Sequence, residues 1–102
     1  MGLILSKKED KKIFVAGTNI ELESVYVRFE FAGDSTGKKL EIAFGVFASK
    51  EMFLEGKPLH TNILDRKNIT VELKEEEEQS VSVAHDYLKF YFEKIGYSAK
   101  IE

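Results

Sequence analysis

The chain has 102 residues, 15 of them basic and 18 acidic, for a formal net charge of −3. That length fits one domain, and the charge balance removes the main electrostatic drive toward nucleic acid. With 43% hydrophobic and 12% aromatic residues the chain is too apolar for intrinsic disorder, and the absence of cysteine excludes disulfides, thiolate metal sites and cysteine catalysis.

Met1 to Leu5 is apolar, but Lys7 and Lys8 follow it rather than precede it, and the apolar run Leu3 to Leu5 is too short for a secretory signal. No window approaches the roughly 18 uncharged apolar residues of a membrane span. Met1-Gly2-Leu3-Ile4-Leu5-Ser6 fits the N-myristoylation pattern, a permissive one; the plainer reading is an initiator segment or a short first strand. Asn68-Ile69-Thr70 is a formal glycosylation sequon that means little without a secretion signal. The expected place of synthesis is a cytoplasm. Lys7 to Lys12 (KKEDKK) reads as a charged, mobile connector, so residues 1–12 are expected to be a flexible start to a single domain over 1–102.

Ile13-Phe14-Val15 is a short apolar run ended by Ala16-Gly17. From Val25 the pattern sharpens: Val25, Val27, Phe29 and Phe31 take one face and Tyr26, Arg28 and Glu30 the other, a half-buried strand. Gly33-Asp34-Ser35-Thr36-Gly37 is a loop of turn formers. Leu40, Ile42, Phe44 and Val46 then alternate with Glu41, Ala43, Gly45 and Phe47, so Val25–Ala32 and Lys39–Ala48 are expected to pair as an antiparallel hairpin. Phe47 breaks the polar face, and Gly45 marks a bulge or a close backbone approach. Ser49 caps a short helix over Lys50 to Leu54, which Gly56 and Pro58 close.

Asn68 to Leu73 reads as another strand. A long helix is expected over Glu76 to Ile95, with Glu75 to Glu78 complementing its dipole and Gly96 at the C′ position. Val81, Ala84, Leu88, Tyr91, Phe92 and Ile95 give it helical spacing, and Val83, Tyr87 and Phe90 widen the apolar stripe. Tyr97 to Ile101 returns as an edge strand. The fold class is therefore α+β, an antiparallel sheet of four to five strands with one long C-terminal helix packed on one face.

Catalytic and cofactor signals are sparse. His60 reads as a solvated loop residue, and His85 as a structural histidine, because neighbouring Asp86 points about 100° away on a helix. An acid–base pair would need His60 brought near Asp65 by folding. Consecutive Glu75 to Glu78 spray outward, whereas hard cations need converging ligands. Gly33 to Lys38 (GDSTGK) is one residue short of a phosphate loop and joins strand to strand. The strand–strand–strand–helix order loosely matches double-stranded RNA-binding modules, but an acidic helix start argues against them. The reading is therefore not an enzyme, with no metal, cofactor, nucleic-acid, membrane or small-molecule partner.

What remains is surface. Tyr26, Arg28, Phe47, Tyr87 and Phe90 exceed what one face of a small sheet requires, and Tyr and Arg are enriched at interface anchors. They are the expected contact residues; Tyr26→Ala with Arg28→Ala should weaken assembly and spare thermal stability. The simpler reading is a second small cluster formed with the N-terminal segment and the 57–67 loop.

As an ordered set, Val25-Tyr26-Val27-Arg28-Phe29-Glu30-Phe31, Gly37-Lys38-Lys39, Ala48 to Gly56 (ASKEMFLEG), Ser82 to Lys89 (SVAHDYLK) and Gly96-Tyr97 resemble small virion or tail-associated proteins of tailed phages and prophages of gut Bacteroidales. The resemblance covers roughly residues 20–102 and leaves out 1–18. It implies a non-enzymatic structural component that works by assembling, in a ring or as a head–tail joining or tail part, with no active-site residues to carry over and a virion as its destination. The alternative is a monomeric ligand- or peptide-binding accessory domain using an open strand edge or the 57–67 loop.

Overall fold

A computed structural model describes residues 2–33, 35–62, 68–74, 77 and 79–101. Its chain order is β1 (Gly2–Ser6), β2 (Ile13–Phe14), β3 (Glu21–Leu22), β4 (Ser24–Gly33), β5 (Lys39–Phe47), α1 (Lys50–Leu54), β6 (Asn68–Glu72), α2 (Val81–Lys94) and β7 (Ser98–Ile101). The alternating β4 and β5 pair antiparallel as expected, with Val27 opposite Val46 and Phe29 opposite Phe44. The register runs unbroken from Tyr26↔Phe47 to Gly33↔Leu40, so Gly45 lies in regular strand opposite Arg28 and makes no bulge. Phe47 does not break the pattern either, because it shares the second face with its partner Tyr26.

Five strands form one antiparallel sheet in the order β6-β5-β4-β1-β7, and β2 and β3 form a separate small ribbon. Gly2–Ser6 forms a short first strand, one of the two readings of Met1 to Leu5, and it lies inside the sheet, paired with both β4 and β7. Leu3 and Leu5 are fully buried, which explains why so short an apolar run is held. The lysines that follow turn back at a Lys8↔Lys11 bridge, and Lys7 pairs with Glu21 at 2.7 Å.

The α2 helix is 14 residues long, shorter than the expected 76–95. Ser80 is its N-cap and accepts a hydrogen bond from the Val83 amide at 3.2 Å. The acids do not form its first turn. Glu77 accepts from the Lys74 amide at 2.8 Å, and Gln79 donates to the Lys39 carbonyl at 3.0 Å, so both side chains are tied to the turn and the hairpin instead. Glu75, Glu76 and Glu78 lie outside the described residues. At the other end Gly96 takes φ 110°, and the Tyr97 amide donates to the Phe92 carbonyl at 3.0 Å, a Schellman closure.

The core lies between α2 and one face of the sheet. Ala84, His85, Leu88 and Phe92 are the buried residues of the helix. They meet the odd-numbered residues of β1 and β4 and the even-numbered residues of β5, with Phe92 edge-on to Phe44 at 5.2 Å. Ile13 joins this core from β2. The stretch after α1 is strapped across the ribbon: Ala16 donates to the His60 carbonyl, and the Asn62 side chain bonds the Phe14 amide and the Lys12 carbonyl.

Candidate functional site

The second face of the sheet carries Gly2, Tyr26, Arg28, Glu30, Ala43, Gly45 and Phe47, by register opposite to the α2 side. Only α1 covers it. Five residues make about 7.5 Å of helix, less than two strand spacings, so the cover is local. Ser49 caps α1 by accepting from the Met52 amide, and Lys57 donates to the Met52 carbonyl to close it. So brief a helix stands only if it packs, and it lays Phe53 onto the sheet.

Phe53 gathers the sequence-predicted residues around itself. Its ring sits 5.1 Å from Phe47, edge-on, and 6.1 Å from Tyr26. The Arg28 guanidinium stacks over it at 4.7 Å and donates one hydrogen bond to Tyr26 Oη at 3.2 Å. Arg28 has no acidic partner among the described residues, so most of its N–H donors remain available. Tyr26 is 4% exposed, so it supports this group from below rather than facing outward. Beside the group lies an open hollow of about 480 Å³ lined by Arg28, Glu30, Ala43, Gly45, Phe47 and Phe53.

Of the five expected contact residues, the structure thus brings Tyr26, Arg28 and Phe47 together and leaves Tyr87 and Phe90 on α2, across the sheet. Tyr87 is half-buried against the core, and its hydroxyl donates a short hydrogen bond to Glu77. That bond, with the Lys74 amide, holds the Glu77 carboxyl below the usual carboxylate range and pushes the Tyr87 hydroxyl up. Phe90 is 63% exposed on the outer side of the helix. Phe53 was not among the expected residues; the signal for it was a capped helix too short to stand alone.

The candidate chemical groups are dispersed. His60 is exposed in the strap after α1, and Asp65, its notional partner, lies outside the described residues. His85 is buried, as a structural histidine should be: Nε2 donates to the Gly2 carbonyl at 3.2 Å, and the ring stands edge-on to Phe29 at 4.7 Å. Among the described residues no three His, Asp or Glu side chains could hold a metal ion, and no helix is long and apolar enough to cross a membrane. Thr36 to Lys38 turn between two strands, and Lys38 donates its amide to Thr36 Oγ1, as a hairpin tip does. No protein-family model, curated protein or solved structure matches this chain.

Proposed function

We propose that this chain is a non-enzymatic assembly protein that works through protein–protein contacts, with the second face of the sheet as one contact surface. The observation that carries the reading is the hollow beside Arg28, Phe47 and Phe53: aromatic rings and a stacked guanidinium with no acidic partner among the described residues, on a sheet face that α1 covers locally. Those residue types dominate the energetics of protein interfaces. The resemblance of residues 20–102 to phage and prophage virion proteins supplies the setting, a head–tail joining or tail part. The alternative is a monomeric accessory domain that adds a peptide along β6 or β7, the two outer strands of the sheet.

Absolute mass in solution, by light scattering behind a sizing column over a wide concentration range, separates the two. A defined oligomer of the 11.7 kDa chain is the expected result. A single-chain mass throughout would turn the reading toward the accessory domain.

A further inference from the structure

The outer side of α2 carries a second exposed aromatic feature. Phe90 stands there at 63% exposure, with Asp86 one turn before it and Glu93 and Lys94 one turn after, all exposed. None of these three charged residues is held in an ion pair among the described residues. An aromatic ring ringed by charge on a helix is a knob. The hollow on the far side of the sheet offers room, aromatic rings and both signs of charge at Arg28 and Glu30.

We infer that this knob of one copy docks into the Arg28–Phe53 hollow of the next, building the assembly proposed above by self-stacking. Volume permits it: a cavity of about 150 Å³ already holds a benzene ring, and the hollow measures about 480 Å³. Phe90 would meet Phe47 and Phe53, whose faces and edges suit offset or edge-on ring contacts. Charge matches in both signs. Arg28 keeps donors for the carboxylate of Asp86 or Glu93, and Glu30 on the lip offers an acceptor to Lys94. Rim charges of this kind fix orientation and partner choice more than they add affinity.

The geometry also fixes the kind of symmetry. The knob belongs to the α2 side of the sheet and the hollow to the α1 side, so the contact joins unlike surfaces and leaves the pair with one free knob on one copy and one free hollow on the other. Such a heterologous contact propagates, closing into a ring if the rotation allows and otherwise running on as a filament.

Two single variants and their mixture test this by light scattering. Phe90→Ser removes the knob at an exposed position, and Arg28→Glu spoils the hollow. Each alone should weaken self-association roughly thirtyfold or more, as truncation of an interface hot spot does. Mixed in equal amounts they should form a one-to-one pair of twice the chain mass, because the intact knob of one fits the intact hollow of the other and nothing can be added. If Arg28→Glu lowers the melting temperature, Ala43→Gln fills the hollow from an exposed strand position instead. A wild-type oligomer that neither variant weakens, or a mixture that forms no pair, overturns the inference while leaving the assembly reading intact. A wild-type chain that stays single at every concentration removes both.

Discussion

On the α2 side of the sheet Leu3, Leu5, Val27, Leu88 and Phe92 lose almost all contact with water, whereas on the α1 side Tyr26 is buried and Arg28, Phe47 and Phe53 stay half-covered. Strand β4 supplies both faces, through its odd and even residues. Their residue types do not explain the difference, since both faces carry aromatic rings. The covering element does: 14 residues of helix span most of the sheet, and five cover one corner. Apolar surface that a short helix cannot reach stays open to solvent.

That contrast can be broken from its stronger side. Phe92→Ala should cost about 3–5 kcal/mol, the range for emptying a buried aromatic site, measured as a shift in urea midpoint; a loss under about 1 kcal/mol would mean the site collapses freely. Leu3→Ala should cost about 2–5 kcal/mol. A near-neutral result there would show that β1 is dispensable to the sheet.

The α1 side should respond more weakly. In Gly2→Ala the new Cβ falls inside contact distance of Tyr26 Oη, and Tyr26 is fixed by Arg28 and Phe53, so a loss of about 1–3 kcal/mol is expected from overpacking. Tyr26→Ala should lower the melting temperature as well, contrary to the expectation from sequence that it would spare stability, because the ring is buried. Equal melting curves for wild type and Tyr26→Ala would put the ring back at the surface.

The smallest effect concerns pH. Glu77 is held below its ordinary range by the Tyr87 hydroxyl and the Lys74 amide, so it adds stability above the ordinary carboxylate pKa that is lost as pH falls through its depressed value. Tyr87 is raised by the same bond, so its share is present below its ordinary pKa and lost as pH rises through the elevated one. Tyr87→Phe should flatten both limbs of a stability-against-pH curve. Unchanged limbs would show that the bond does not form in solution.

The hairpin β4–β5 was legible because its period-two alternation runs for many residues, and α1 because Ser49 and Gly56 mark its ends. The start of α2 was not, since Glu75 to Glu78 imitate first-turn acids and only the bonds from Glu77 and Gln79 to other segments reveal the delay. For β1 a short strand was legible, but its place inside the sheet was not. Leu3-Ile4-Leu5 is too short to carry a period, and its partners lie far along the chain. For the site, Tyr26, Arg28 and Phe47 followed from one face of a hairpin, and Phe90 from an over-wide helix stripe. Phe53 depended on where α1 lands.

The sheet order carries a consequence for how the molecule forms. Strand β1 precedes the other strands in the chain, yet Leu3 finds one neighbour in Val27 and the other in Ile101. The hairpin β4–β5 closes over a short loop and can form early, whereas seating β7 beside β1 closes a loop of nearly the whole chain. The entropy of that closure is settled before the contacts repay it, and such non-local pairing slows folding. Until β7 arrives, β1 is itself an edge, with unpaired backbone along one side open to another chain.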